Sequence, residues 1–361
     1  MFDFLKGVGI LLVLIRHSIY GLNISTDSPI WQLLYSFIMP LFFLTSGYWL
    51  KNMRFCEGLK TSARQLLKPY LIVIACIDIV GLIHRAVQGN IEEWLNLFLR
   101  QSLLVMSGGY SRIGFMWFIF ALFMSWVFFY SLIQIKNEKL RTFISIIICC
   151  AGTFLLKYRL PFQLAQAMIA QLFVYAGYLI KKKKYLEKPK SAVIIAAMTV
   201  FWAGGSLFCF RDHLCDLSMY EFGNGIPSVL CSLCGTILII EAGIRINAID
   251  NIVIEKIGQL GRYTMWILCI HSFEATVIPW RYLFQFIPQN SPAGCVAQFT
   301  LRCLFIFIIC FILKKLGGRK NVNGYSEKIT FLPMQFVLIF IFNYINTYNI
   351  DVKRKLYAAL L

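Results

Sequence analysis

Seven ionisable side chains, Asp78 and Glu241 among them, lie inside long apolar stretches of this sequence, where a charge is costly and a functional role is the first hypothesis. Arg16 and His17 are neighbours in the first apolar run. His271 and Glu274 share a late run, and Arg302 lies in the run after it. A histidine titrates near neutral pH without help, so it suits general-base chemistry. These side chains are the candidates for a buried catalytic site.

His17 is the strongest of these candidates. It lies 13 residues beyond Phe4, or about 20 Å along a helix that rises 1.5 Å per residue. A lone histidine in a membrane span can simply hydrogen-bond to a neighbouring helix, and this alternative stays open. Lys6 and Arg16 share the same helix, however, and three cationic or titratable groups in one span are difficult to explain by packing.

The composition indicates the kind of element that must position these residues. Of the 361 residues, 59% are apolar and only 14% are charged, with a net charge of +18, and the mean hydropathy is +0.69. These values exclude a soluble globular enzyme, a disordered chain and a coiled coil. The positive charge lies in short clusters between apolar runs, so no nucleic-acid partner is expected.

The 12 cysteines lie mostly within apolar runs, and neither a metal site nor a disulfide framework is expected.

The apolar runs predict an all-α polytopic membrane protein with about ten transmembrane helices. A bilayer core about 30 Å thick requires about 20 apolar residues per helix. No linker or second composition regime interrupts the series, which predicts one transmembrane domain. The predicted spans are 4–22, 30–50, 68–87, 115–135, 141–156, 162–180, 191–210, 226–246, 263–284 and 295–314.

The distribution of Lys and Arg predicts the orientation. The N-terminus and the even-numbered junctions carry 23 of these residues, and the other junctions carry seven. Basic loops favour the cytoplasm, so the N-terminus is predicted to be cytoplasmic and the protein to lie in the cell membrane. The run Lys181–Lys184 is interpreted as a topology signal that contacts lipid headgroups.

The C-terminal segment is predicted to differ from the rest. Residues Ile329–Asn346 are apolar and lie between Lys328 and the cluster Lys353–Lys355. An eleventh span would place that cluster outside, against the charge rule, so an interfacial or re-entrant helix is favoured. The predicted division is therefore 1–328 for the transmembrane domain and 329–361 for this segment.

Motifs spread along the chain are similar to those of one known family. Asp3-x-x-Lys6 is followed eleven residues after Lys6 by His17. Further motifs are Met39-Pro40-Leu41-Phe42-Phe43-Leu44-Thr45-Ser46-Gly47-Tyr48, Pro69-Tyr70, Trp117-Phe118-Ile119-Phe120-Ala121-Leu122, and Leu260-Gly261 with Ile270-His271-Ser272. From Asp3 to about Lys315 the chain resembles the membrane-bound acyltransferase 3 family, and within it the fucose 4-O-acetylase-like sugar O-acetyltransferases.

The resemblance implies transfer of an acyl group, most often acetyl, from cytoplasmic acetyl-CoA or another acyl-CoA to a hydroxyl. The implied acceptor is a carbohydrate or a lipid-linked or cell-envelope glycan. His17 would be the general base, and Arg16 and Arg302 would stabilise the thioester oxyanion. His271 is the next catalytic candidate, and Glu274 could orient its imidazole.

The resemblance also implies a basic donor site at the cytoplasmic mouth, formed by Lys6, Arg64 and Lys68. The sequence departs from the family here. Lys6 stands where the family usually has Arg, and Arg64-x-x-x-Lys68 replaces an Arg-x-x-Arg motif. A Lys cannot make the bidentate phosphate contact of an Arg, although the charge is kept.

Four further residues are expected to contact substrate, namely Asp3, Ser46, Trp117 and Glu274. Some of them have structural alternatives. Ser46 next to Gly47 could be a small-residue helix contact, and Trp117 could be an interfacial anchor.

Two other functions compete with acyl transfer. A transporter of sugars or lipid-linked glycans would share the basic, multi-span composition, although no inverted repeat is visible. A non-catalytic membrane module, such as a sensor, is the third possibility.

Overall fold

The computed structural model describes residues 1–20, 29–106, 113–188, 190–210, 215–278, 280 and 291–316. The predicted boundary at 328 and the predicted C-terminal segment 329–361 lie outside the described residues. Within them the chain is almost entirely helical, because long apolar runs must satisfy their own backbone hydrogen bonds.

The described residues form helices connected by short loops and one small β-hairpin. The hairpin joins β1 (Cys215–Asp216) to β2 (Glu221–Phe222) in antiparallel register, with Asp216 opposite Glu221. The helices are α1 (Phe2–Tyr20), α2 (Pro29–Trp49), α3 (Phe55–Ser62), α4 (Lys68–Val87), α5 (Ile91–Leu97), α6 (Trp117–Ile133), α7 (Glu138–Leu155), α8 (Leu164–Lys182), α9 (Ala192–Cys209), α10 (Ile226–Asn247), α11 (Ile252–Gly261), α12 (Thr264–Val277) and α13 (Pro292–Leu316).

Eight helical stretches in the described part of the chain are long and apolar enough to cross a membrane. They correspond to eight of the ten predicted spans, which confirms an all-α polytopic membrane protein. The other two predicted spans are α1 and α12. Helix α1 is 19 residues long and carries Asp3, Lys6 and Arg16. Helix α12 has only 14 residues and ends where Ile278 becomes extended, because the residue before a proline avoids the helical region.

The third predicted span is longer than the sequence indicated. Helicity begins at Phe55 in α3 and continues through a π-helical turn, Ala63–Leu67, into α4. Pro69 lies at the start of α4, where it has no N–H to donate to a helix bond. The wider turn before it absorbs this interruption without breaking the helix. Arg64 and Lys68 therefore lie on a helix rather than in a loop.

Helix α8 packs against α2, α6 and α7 and forms the centre of the bundle with them. Two glycines make the α2–α8 contact close. A Cβ atom at Gly47 would collide with the carbonyl of Val174, and one at Gly177 would collide with that of Leu44. Small residues at such positions let helix backbones approach closely in a membrane. This contact is a rigid packing interface.

The helices that carry the candidate catalytic residues form a second group. Helix α1 packs against α2, α10, α11, α12 and α13, and α12 also packs against α4 and α13. The turn Gly114–Met116 before α6 packs against α12. Arg16 and His17, His271 and Glu274, and Arg302 are therefore brought together from three helices that are distant in sequence.

Candidate active site

A cavity of about 570 Å³ lies between α1, α2, α6, α12 and α13. Four of the residues proposed from the sequence line it, namely Arg16, His17, Trp117 and Arg302. The β-hairpin and the helical segment 91–103, which is α5 with the π-helical turn Phe98–Leu103, contribute further lining residues. The cavity is large enough for the reacting parts of two small substrates.

Helix periodicity explains how α1 presents its residues to the cavity. Ile10, Val13 and His17 follow one another at spacings of three and four and share one face, and Leu12 and Arg16 form the neighbouring row. All five line the cavity. The imidazole of His17 and the adjacent cation of Arg16 are thus side by side at the C-terminal end of this face.

Polar side chains are more numerous at one end of the cavity than at the other. Thr264, at the first position of α12, and Thr276 near its end both line it, a separation of about 18 Å at 1.5 Å per residue. Near the start of α12 the walls include Ile10, Met39 and Leu268. At the opposite end the walls carry polar side chains, namely Arg16, Tyr35, Gln101, Asp216, Ser218 and Thr276.

Three rings form a compact cluster beside the cavity. The ring centroids of His17 and Phe115 are 3.7 Å apart, those of Phe115 and His271 are 4.5 Å apart, and the two imidazoles are 5.3 Å apart. Gly114 has φ +51°, and a Cβ atom there would lie 2.8 Å from the hydroxyl oxygen of Thr276. Glycine therefore allows the turn that sets Phe115 against both histidines.

Glu274 is the centre of a buried polar network. Its Oε1 atom lies 2.7 Å from Nδ1 of His271 and accepts a hydrogen bond from Nη1 of Arg302 at 3.1 Å. The indole N–H of Trp280 donates to the other carboxylate oxygen. Neither Glu274 nor His271 is exposed, and Arg302 is 7% exposed. A buried carboxylate with three partners is stable only as a unit, so loss of one partner is expected to be costly.

Arg302 connects this network to the cavity. Its guanidinium carbon lies 5.7 Å from the Trp280 ring, a cation–π distance, while the residue also lines the cavity wall. His271 does not line the cavity but stacks on Phe115, which does. Its Nε2 atom is buried with no hydrogen-bond partner in the described part of the chain. Glu274 therefore fixes the orientation of both a cavity cation and a second imidazole.

The predicted donor-site residues lie outside the cavity lining. Lys6 forms an ion pair with Asp3 at 2.7 Å, and Asp3 also faces Arg262 at 3.6 Å. Arg64 is exposed and Lys68 is half-buried. Their assignment to the donor stays a prediction, and Asp3, expected from the sequence to contact substrate, has structural partners at the start of α1.

Ser46 also lies outside the cavity lining, in the α2–α8 packing region. Its hydroxyl donates to the carbonyl of Phe43 at 2.7 Å and accepts the indole N–H of Trp126 at 3.3 Å. Next to it, Gly47 makes the close contact with α8. The structure therefore favours the packing alternative for Ser46, and a substrate contact there stays a prediction.

Several residues of the site were not found from the sequence. Phe115 is one of many aromatic residues and carries no distinctive signal. Asp216 and Gln101 are polar residues outside the apolar runs, where a charge or an amide is common. The ring centroid of Tyr35 is 4.7 Å from the guanidinium carbon of Arg16, but nothing in the sequence of α2 distinguishes this tyrosine from others.

Among the described residues no group of three or more His, Cys, Asp or Glu side chains is placed to hold a metal ion.

The sequence profile of the acyltransferase domain matches residues 2–315. The chain belongs to the acyltransferase 3 family. The matched range contains every residue that lines the cavity. The family assignment confirms the enzyme class expected from the sequence, an acyltransferase, and confirms that the protein belongs in a membrane.

One curated relative is the nodulation protein NolL of Mesorhizobium japonicum, which is 31% identical over 205 residues. The aligned region covers 51% of this chain and 51% of NolL, so the chain spans about half the length of that relative. No solved structure matches the chain.

Proposed function

We propose that this acyltransferase moves an acyl group, most often acetyl, from a cytoplasmic acyl-CoA to a hydroxyl of a carbohydrate or cell-envelope glycan, with His17 as general base. The proposal places the protein in the cell membrane with its N-terminus in the cytoplasm. The proposed partners of the protein are acyl-CoA, the glycan acceptor and the membrane lipids.

The observation that supports this proposal best is that His17, Arg16 and Arg302 line one cavity, which becomes more polar along α12. With a cytoplasmic N-terminus, the apolar end faces the cytoplasm and the polar end faces outwards. An apolar passage suits an acyl thioester, and a polar chamber suits an acceptor rich in hydroxyls. His17 lies where the two environments meet.

The reaction follows from the groups at that point. His17 accepts the proton of the acceptor hydroxyl as its oxygen attacks the thioester carbonyl carbon. The carbonyl oxygen becomes an oxyanion, and the cations of Arg16 and Arg302 stabilise it. The carbon–sulfur bond then breaks, the electron pair leaves with the CoA sulfur, and the imidazolium returns its proton to that sulfur. The products are an O-acyl ester and free CoA.

Two neighbours position the catalytic groups in this proposal. Glu274 holds Arg302 at 3.1 Å, which keeps the guanidinium at the cavity wall. Phe115 packs against the His17 ring and restricts its rotation. Lys6, Arg64 and Lys68 would bind the CoA phosphates outside the cavity, at the predicted cytoplasmic mouth.

The test compares His17→Ala and His17→Gln with wild type in purified protein. The assay follows transfer of labelled acetyl from acetyl-CoA to the cell-envelope glycan fraction of the host. Loss of a general base is expected to lower kcat by about 10²–10⁴-fold. The wild-type rate should fall in acid as the imidazole becomes protonated, and the variants should lose that dependence.

His84→Ala is the matched control, because His84 also lies in a membrane helix but does not line the cavity. It should keep wild-type turnover. A well-folded His17→Gln protein with turnover within a few-fold of wild type would refute the role of His17. Poor folding of both His17 variants, with equal loss of donor binding and turnover, would favour a structural histidine instead.

A further inference from the structure

The β-hairpin Cys215–Phe222 places three side chains in the cavity. Residues Cys215, Leu217, Tyr220 and Phe222 are each at most 6% exposed and anchor it to the protein. Asp216, Ser218 and Met219 line the cavity. The hairpin is therefore a fixed wall of the polar end.

The anchors of this hairpin are specific. Phe222 packs edge-to-face against Phe173 and Phe210, with ring centroids 6.5 and 6.4 Å apart. The thiol of Cys215 contacts the carbonyl oxygen of Tyr35 at 3.7 Å. Because Cys215 precedes Asp216, this contact ties the carboxylate to the same region of α2 that supplies a cavity tyrosine.

The carboxylate of Asp216 is oriented within the hairpin. Its Oδ1 atom accepts hydrogen bonds from the backbone N–H of Ser218 at 2.9 Å and from the Ser218 hydroxyl at 2.6 Å. Burial raises the pKa of Asp216, while the hydrogen bonds from Ser218 and the charge of Arg16 oppose the shift. The backbone N–H of Met219 also donates to this carboxylate, so the hairpin fixes the orientation of a side chain that lines the cavity.

The other walls of this end suit the same kind of ligand. Gln101 enters from the helical segment 91–103 and adds an amide with donor and acceptor atoms. Tyr35 and Trp117 add aromatic surfaces. A carboxylate, an amide and aromatic rings together can bind a polyhydroxylated ring by hydrogen bonds and by packing against its C–H groups.

We propose that Asp216 is the specificity residue for the acceptor, binding a hydroxyl of a carbohydrate ring next to the hydroxyl that His17 deprotonates. Gln101 completes this acceptor subsite at the polar end of the cavity. The inference rests on the proposed function, because it concerns the substrate that receives the acyl group. It adds a residue outside the membrane helices and a class of acceptor, a ring with adjacent free hydroxyls.

The test substitutes Asp216→Asn, which keeps an oxygen for the Ser218 N–H and removes the charge. Glu221→Gln is the matched control, since Glu221 lies opposite Asp216 in the same hairpin, is exposed and does not line the cavity. Purified proteins receive labelled acetyl-CoA and increasing amounts of the host cell-envelope glycan fraction, either untreated or oxidised with periodate, which cleaves adjacent hydroxyl pairs.

The expected result is a half-saturating glycan concentration raised roughly tenfold or more in Asp216→Asn, the effect of losing a hydrogen bond to a charged group. The KM for acetyl-CoA should stay near wild type, which also shows that the variant is folded. Glu221→Gln should match wild type in both constants. Oxidised glycan should accept no label from any of the proteins.

The remaining outcomes separate the two proposals. Transfer to glycan with an unchanged acceptor constant in Asp216→Asn would overturn the assignment of Asp216. Transfer to periodate-oxidised glycan at the untreated rate would overturn the adjacent-hydroxyl class. If wild-type protein transfers no label to any fraction, the result would instead count against the proposed function. The acceptor subsite would then be rejected as well, because it depends on that function.

Discussion

The α2–α8 pair and the α1–α12–α13 group are both built from apolar helices, but they bury different things. The first pair buries backbone against backbone, with Gly47 on the Val174 carbonyl and Gly177 on the Leu44 carbonyl. The second group buries Glu274 with its partners and surrounds a cavity of about 570 Å³. The first region stabilises the bundle by close helix packing. The second region is less closely packed and accommodates buried charged side chains and a cavity.

This difference shows where substitutions should change folding and where they should change rate. Close backbone contacts tolerate no added atoms, and membrane helices have no hydrophobic driving force between them to compensate. A cavity wall tolerates changes of shape but not the loss of a group that acts on substrate. Folded yield and kcat should therefore respond separately in the two regions.

The largest expected effect on folding is at the α2–α8 contact. Gly47→Leu would force the two backbones apart, so most of the folded protein should be lost. Yield and monodispersity in detergent by size-exclusion chromatography measure it. Gly204→Leu is the control, because a Cβ atom at Gly204 in α9 meets nothing within 4 Å. Normal folded yield for Gly47→Leu would contradict the packing role of this interface.

The next effect is on turnover and concerns Arg302. Arg302→Met removes a cation from the cavity wall and should lower kcat about 10²–10³-fold, the usual cost of losing an oxyanion donor. It also leaves Glu274 without that partner, which can impair folding. The double variant Arg302→Met/Glu274→Gln removes both charges and should recover folded yield but not kcat. A folded double variant with wild-type kcat would show that Arg302 is only structural.

The smallest effect is expected at the predicted donor site. Arg64→Ala and Lys68→Ala should each raise the KM for acetyl-CoA about tenfold, because a charged hydrogen bond to phosphate is lost, and leave the acceptor constant unchanged. Steady-state kinetics at varied acetyl-CoA measures both. Lys136→Ala and Lys139→Ala, in another basic junction, are controls that should change neither constant. Unchanged dependence on acetyl-CoA in Arg64→Ala and Lys68→Ala would remove these residues from the donor site.

Much of the architecture could be predicted from the sequence, because the apolar runs are long and charge within them is rare. Eight predicted spans correspond to helices able to cross a membrane. Arg16, His17 and Arg302 stood out for the same physical reason, since an ionisable group in a span needs an explanation. The structure places all three around one cavity.

The partners of these residues could not be predicted. Glu274 and Arg302 meet across 28 residues and two helices, and a single sequence gives no distance between helices. Phe115 depends on a turn with positive φ at Gly114, which the sequence does not specify. Asp216 lies between two apolar runs of the sequence, where a carboxylate is ordinary, and only the fold of the hairpin brings it to the cavity.

The proposed reaction requires one cavity to join a donor on the cytoplasmic face to an acceptor on the opposite face. Sealed vesicles of known orientation test it most directly, with labelled acetyl-CoA, which does not cross membranes, supplied outside. Inside-out vesicles should transfer label, and the labelled ester should resist an added esterase until detergent opens the vesicles. Right-side-out vesicles should transfer none. Equal transfer by both orientations, or labelled ester exposed on the same side as the donor, would contradict transfer across the membrane through this cavity.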